Sequence, residues 1–143
     1  MDDLETRNGT VEAQRRYYEA KLQYEIDPWD LNQAIQAGES IVVVDTRGPK
    51  TYARRHVAGS INIPHREMNA RRTAHLDRNA LYVVYCDGIG CNGSTKGALN
   101  MVKLGFRVKE LIGGFEWWER DGFAVHGTEA GRDGCEGVSC ECG

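Results

Sequence analysis

The residues best placed to do chemistry in this 143-residue chain are Cys86 and Cys91, because of the sequence around them. The apolar run Leu81-Tyr82-Val83-Val84-Tyr85 stops abruptly at Cys86, and Asp87-Gly88-Ile89-Gly90-Cys91-Asn92-Gly93 separates that cysteine from a helical segment. In an open parallel sheet the ligand site lies beyond the carboxyl ends of the strands, where loops lead into helix N-termini. Gly88, Gly90 and Gly93 permit a tight loop with several backbone N–H groups turned inward, a ring that would cradle an anion. The same amides, with the positive end of the helix dipole, would lower the thiol pKa and keep Cys86 as a reactive thiolate. Taken alone, the spacing also fits a small buried hydrophobe at a strand end, the usual fate of a free cysteine. Cys91, in the same loop, is either a lining residue or a second thiol able to attack a persulfide or sulfenate on Cys86 and close a disulfide.

The elements that would position this loop alternate between strand and helix. Ile41-Val42-Val43-Val44 is a continuous β-branched run ending in Asp45, as in a strand covered on both faces, and Leu81–Tyr85 and Val108–Ile112 resemble it. Ile61-Asn62-Ile63 before Pro64 is a shorter candidate. Helices are expected over Val11–Tyr24 after a capping Thr10, with Val11, Tyr18 and Leu22 at helical spacing, and over Pro28–Ala37 after Asp27. A third is expected from a cap at Ser94 or Thr95 to Gly105, and a last from Gly114 to Arg120. The pattern predicts an α/β fold: an open parallel sheet with helices on both faces, preceded by an N-terminal helix and followed by a flexible C-terminal tail. The expected organisation is a helical extension at 1–25, a domain at 26–126 and a Cys-containing tail at 127–143. That tail has five glycines in seventeen residues and Val138 as its one large aliphatic, too little to build a core.

Charge narrows the partners. The net charge of −3 resides in the tail, where Glu129, Asp133, Glu136 and Glu141 face Arg132 alone. Arg54, Arg55, Arg66, Arg71, Arg72 and Arg78 crowd one stretch that holds only Glu67 and Asp77 in reply. One basic segment on a neutral domain suggests a small anionic substrate, where a nucleic-acid binder would carry a basic face throughout. The acidic, polar first ten residues are unlike an export signal and no run is apolar enough to span a membrane, so a cytoplasmic protein is expected. Five cysteines without an export signal point to reactive or metal-binding thiols before a disulfide framework. Cys135-x4-Cys140-x-Cys142 offers soft ligands for Cu(I) or Zn(II), or a thiol to accept sulfur from Cys86, but matches no closed zinc pattern; no metal site is assigned.

From about Ile26 to Val125 the chain resembles the rhodanese-like family. Four pieces carry the resemblance in family order: Val42-Val43-Val44-Asp45-Thr46-Arg47; His56-Val57-Ala58-Gly59-Ser60-Ile61-Asn62-Ile63-Pro64; the strand–Cys–loop–helix from Val84 to Ala98; and Leu111-Ile112-Gly113-Gly114-Phe115-Glu116-Trp117-Trp118 followed by Gly122-Phe123. The resemblance implies a sulfurtransferase, needing no cofactor, in which Cys86 takes a sulfane sulfur from a donor such as thiosulfate and passes it to a thiophilic acceptor through a persulfide. The expected partners are a small anionic sulfur donor, a thiol or cyanide-type acceptor and a possible protein acceptor of sulfur, with neither nucleic acid nor membrane. The catalytic candidates are Cys86 and Cys91. The substrate-binding candidates are Asp87, Gly88, Ile89, Gly90, Asn92 and Gly93 of the loop, with Lys96, Arg54 and Arg55 as cations for the donor.

The chain also departs from the family pattern. Its loop is about three residues longer than in most members and has no basic residue, and Asp87 would repel a dianion unless Lys96, Arg54 or Arg55 compensates it. Thr51 stands where the family usually has an acidic residue, and Arg55 where it has the Gly before its His-Ile. Rhodanese-fold phosphatases and arsenate reductases follow Cys-x5-Arg. Here Asn92 lies six residues after Cys86 and Gly97 six after Cys91, so the clamping guanidinium is missing. The alternatives to a sulfurtransferase are a low-turnover binding or regulatory module on this fold, or a thiol redox protein using Cys86 and Cys91. Asp45 and Arg47 are expected to tie their turn to neighbouring backbone, His56 to hydrogen-bond within the fold, and Trp117 and Trp118 to sit at core and rim.

Overall fold

The structure, a computed structural model, describes residues 3–130. The chain runs α1 (Asp3–Asn8), α2 (Val11–Tyr24), β1 (Glu25–Ile26), α3 (Pro28–Gln36), β2 (Ile41–Asp45), α4 (Pro49–Arg54), β3 (His56–Val57), β4 (Ile61–Asn62), a 3-10 turn (His65–Glu67), β5 (Leu81–Tyr85), α5 (Gly93–Lys103), β6 (Arg107–Leu111), α6 (Gly114–Arg120) and β7 (Val125–His126). A five-stranded parallel sheet has the order β1-β6-β5-β2-β4, while β3 and β7 form a small antiparallel ribbon.

β2 and β5 form the centre of the sheet, paired one to one from Ile41↔Leu81 to Asp45↔Tyr85. Successive side chains leave opposite faces of a strand, and here both faces are covered, which accounts for the uninterrupted apolar runs. On one face Val43, Val83 and Tyr85 pack with Leu31, Leu111, Phe115 and Trp118, under α3 and α6. On the other, Val44, Tyr82 and Val84 pack with Ile63, Met68, Met101 and Phe106, under α5 and the segment that follows β4. The predicted helices on both faces of a parallel sheet are present.

Local signals act where the sequence places them. The Thr10 hydroxyl accepts from Ala13 N at 3.0 Å, and Asp27 Oδ1 accepts from Asp30 N at 2.7 Å with Pro28 opening α3. Other expectations need correction. α5 begins at Gly93 with Asn92 at the N-cap position; Ser94 and Thr95 do not cap it, because both hydroxyls donate to Glu110 Oε2, at 3.2 and 3.0 Å. α2 is helical as expected, yet Val11, Tyr18 and Leu22 are 85, 58 and 81% exposed. The helix meets the domain chiefly along the sheet edge at β1 and β6 and has no buried residue, so its apolar stripe is not core.

Residues 127–130 return to the domain: Thr128 N donates to Ala53 O at 3.0 Å and Glu129 N to Arg54 O at 2.9 Å. Cys135, Cys140 and Cys142 lie outside the described residues. Among the described residues, no helix is long and apolar enough to cross a membrane.

Candidate active site

From β2 the chain passes to β4 on one side of the sheet, and from β5 to β6 on the other. The carboxyl ends of β2 and β5 therefore flank the point where the topology reverses, the position at which open α/β sheets form their binding crevices. Cys86 stands there, first after β5 and 1% exposed. Thr46, first after β2, locks the two strand ends together: its N–H and its hydroxyl both donate to Tyr85 O, at 3.0 and 2.8 Å.

The start of the cysteine loop is held by α6. Phe115 N donates to Cys86 O and Glu116 N to Asp87 O, each at 2.8 Å. This approach depends on the glycine pair ahead of Phe115, whose φ values are +78° at Gly113 and +61° at Gly114, in the left-handed region. A Cβ on Gly114 would lie 2.4 Å from Cys86 O and 2.9 Å from Gly88 N, so only glycine lets the loop sit this close. Farther along, Cys91 N donates to Gly88 O at 3.2 Å, folding the loop back, and Lys96 N donates to Asn92 O at 3.0 Å as α5 starts. This fold brings the Cys86 and Cys91 Cα atoms to 6.4 Å, and a disulfide joins the two side chains. Among the described residues, no backbone carbonyl accepts from the amides of Gly88, Ile89, Gly90, Asn92 or Gly93.

The charge next to the cysteine is answered by a residue that sequence reasoning had not connected to it. Asp87 Oδ1 accepts from Arg47 Nη1 at 2.9 Å. Arg47 is only 2% exposed, and its guanidinium also donates to both Asp45 oxygens and, through Nη2, to Arg55 O at 2.7 Å. It lies 4.6 Å from the centroid of the Phe115 ring. Burial alone would lower the Arg47 pKa, but the hydrogen bonds it donates to Asp45 and Asp87 and the Asp45 charge outweigh it, and the cation is held above its ordinary value. Compensation of Asp87 was expected from Lys96, Arg54 or Arg55; the ion pair the structure shows is with Arg47. Strand pairing sets Arg47 beside the end of β5, whereas Lys96 and Arg54 are exposed and the Arg55 guanidinium pairs with Glu119. The signal was the Asp45-Thr46-Arg47 turn, read for its backbone role; that role is present in the bond to Arg55 O.

Tyr85 completes the buried network. Its hydroxyl donates to Asp45 Oδ2 at 2.7 Å and accepts from Val57 N at 3.1 Å, with Ser60 Oγ also at 3.1 Å. Burial, then the Asp45 charge, pushes its pKa well above the ordinary tyrosine value. His56 Nδ1 lies 2.6 Å from Tyr52 O, as anticipated; the tryptophans are the reverse of the expected order, Trp118 in the core and Trp117 at the rim, because Trp118 packs under the sheet with Leu31 and Phe115. Of the site candidates, the structure gathers Cys86, Asp87, Gly88, Ile89, Gly90, Cys91, Asn92 and Gly93 into one loop, with Lys96 on the first turn of α5. Ile89 stands outward, 77% exposed. Arg66, Arg71, Arg72 and Arg78 are exposed on the segment after β4, where Arg71, Arg72, Glu67, Asn69 and His75 line an open cavity of about 400 Å³.

Residues 27–121 match the family described as the rhodanese-like domain. The chain belongs to that family. Similar proteins of the same kind include the thiosulfate sulfurtransferase GlpE of Pseudomonas fluorescens, 39% identical over 82 residues that make up 56% of this chain and 72% of the relative. The thiosulfate sulfurtransferase PspE of Escherichia coli is 36% identical over 74 residues, 51% of this chain and 69% of its own length. Among solved structures, the BH2092 protein of Bacillus halodurans superposes with a TM-score of 0.80 at 41% identity, covering 85% of this chain and 89% of that one. The rhodanese-like architecture thus extends over the sheet, the cysteine loop and the α6 support described above.

Proposed function

We propose that this chain is a sulfurtransferase that moves a sulfane sulfur from a small anionic donor such as thiosulfate to a thiophilic acceptor, with the sulfur carried as a persulfide on Cys86. The observation that carries this reading is the placement of Cys86, buried at the topological switch point and followed by a glycine-rich loop that leads into α5. The names of the relatives, thiosulfate sulfurtransferases, agree with it.

In the reaction the Cys86 thiolate attacks the outer sulfur of the donor, the S–S bond of thiosulfate breaks and sulfite leaves with the electron pair. The amides of Gly88, Ile89, Gly90, Asn92 and Gly93, together with the N-terminus of α5, are proposed to receive the donor's negative charge and then that of the persulfide. Asp87 does not oppose this, since Arg47 neutralises it from beneath the loop. Lys96, exposed on the first turn of α5, and the exposed Arg54 attract the anion from solvent; Arg55, engaged with Glu119, contributes less. A thiol or cyanide then removes the outer sulfur and restores Cys86. A protein thiol could serve as acceptor, and a reducing compartment such as the cytoplasm suits a site that works from a free thiolate.

The test is intact-protein mass spectrometry under non-oxidising conditions after the reduced chain has been incubated with thiosulfate. Wild type should release sulfite on loading, and Cys86→Ser should release none and gain no sulfur. A folded, reduced wild type that neither releases sulfite nor forms thiocyanate with cyanide would overturn the reading in favour of a binding module.

A further inference from the structure

The two halves of the cysteine loop are built differently. The Cys86 half is fixed: its carbonyl and that of Asp87 accept from Phe115 N and Glu116 N, and the Asp87 carboxylate is paired with Arg47. The Cys91 half reaches over it from outside through the turn closed by Cys91 N and Gly88 O. At that turn a Cβ on Gly90 would meet nothing within 4 Å and Ile89 is mostly in solvent, so the outer half has room to swing when the sulfur–sulfur bond opens. The Cα separation of 6.4 Å in the bonded state lies inside the roughly 4.4–6.8 Å that disulfides span.

We infer that Cys91 is a resolving thiol, which gives the protein a second activity: dithiol-dependent release of sulfide from the sulfane sulfur loaded on Cys86. The inference rests on the persulfide reading above and adds the fate of the sulfur. After loading, Cys86 carries an outer sulfur as Cys86–S–S⁻. The Cys91 sulfur attacks Cys86 Sγ, the Cys86–Cys91 bond forms, the bond to the outer sulfur breaks, and that sulfur leaves as HS⁻ with the proton of the Cys91 thiol. The outer sulfur gains two electrons, supplied by oxidation of the two cysteine thiols to the disulfide. An external dithiol then exchanges with the disulfide, is itself oxidised, and returns both thiols. The disulfide in the structure is the bond this step would form, and partly exposed Cys91 is the sulfur within reach of the external dithiol, since Cys86 is buried.

The experiment loads the full reduced chain with thiosulfate, without oxygen or added thiol, and measures sulfite, sulfide and intact mass for wild type, Cys91→Ser and Cys91→Ala. Wild type should yield sulfite and sulfide in equal amounts, up to one per chain, and end two hydrogens lighter, with the bond mapped to Cys86–Cys91. Both variants should release sulfite, lose sulfide release and retain one added sulfur on Cys86. Sulfide release by the variants equal to that of wild type overturns the proposal, as does a wild type that keeps its sulfur without closing the disulfide, or one that bonds Cys86 to Cys135, Cys140 or Cys142 instead. In those cases the persulfide reading survives. If neither wild type nor variants release sulfite, that reading falls and the proposal falls with it.

Discussion

Arg47 links the buried base of the site to its loop, and removing it should disturb both. In Arg47→Met, Asp45 is left fully buried without the guanidinium that meets its two oxygens at 2.7 to 3.1 Å, keeping only the Tyr85 hydroxyl and the backbone N–H of residue 47. Breaking a buried pair by deleting one partner costs about 3–5 kcal/mol, since the surviving charge has no compensation. Asp87→Ala removes the charge-assisted bond to Arg47 at 2.9 Å, made by a carboxylate whose side chain is 21% exposed, and Arg47 retains Asp45. A loss of about 1 kcal/mol follows, below the buried range because solvent screens part of the charge. The double variant should lose little more than Arg47→Met alone, since the Arg47–Asp87 bond is already gone in that variant, giving a coupling of about 1 kcal/mol. Urea unfolding of the reduced proteins, followed by tryptophan fluorescence, measures the cycle. The thiosulfate KM supplies a second readout: it should rise in Arg47→Met, where Asp87 loses the Arg47 guanidinium beside the incoming anion, and fall back in the double variant. An Arg47→Met loss below about 1 kcal/mol, or additivity of the two substitutions within about 0.3 kcal/mol, refutes the network.

Further predictions follow from the site's supports. Gly114→Ala places a methyl group against Cys86 O and Gly88 N at a left-handed φ, so it should cost about 2 kcal/mol or more and slow sulfite release on loading; wild-type values for both would show that the α6 contact does not hold the loop. Tyr85 has a folded-state pKa well above the ordinary value of about 10, so above that pH the unfolded chain loses this proton while the folded chain keeps it. Its stabilising contribution is therefore complete below about pH 10 and is lost as pH rises toward the folded-state value. Tyr85→Phe should lose about 1–3 kcal/mol at neutral pH and show a shallower alkaline decline in urea midpoint; an unchanged slope would contradict the assignment.

Most of the scaffold was legible because its signals are local. The β-branched runs before Asp45 and Cys86 are strands paired in register, and Thr10 and Asp27 cap the helices that follow them. The short elements were not legible: α4, β3 and β7 are six, two and two residues long, and two of them exist only because distant segments pair, His56 with His126 and Val57 with Val125. A two-residue strand has no periodicity to read. The exposure of α2 was hidden for a related reason, since Val11, Tyr18 and Leu22 give helical spacing whether or not anything covers them.

The site was legible along the chain and illegible across it. Loop composition identified Cys86, Cys91 and the glycines, because those features lie within eight residues of sequence. The Arg47–Asp87 pair spans forty residues, and the contacts of Cys86 and Asp87 with Phe115 and Glu116 span twenty-nine, so no spacing rule reaches them. Asp87 shows the consequence. Read in sequence it is a charge that opposes an anionic donor; in three dimensions its carboxylate fastens the loop to β2 through Arg47, and its carbonyl fastens the same residue to α6. In the proposed cycle Cys86 attacks a donor, gives up its outer sulfur to an acceptor and meets a neighbouring thiol, and a residue with those three encounters gains from being fixed on one side only. Asp87 supplies that fixation immediately next to Cys86, and the open space around Gly90 is where the proposed approach and withdrawal of Cys91 would be accommodated.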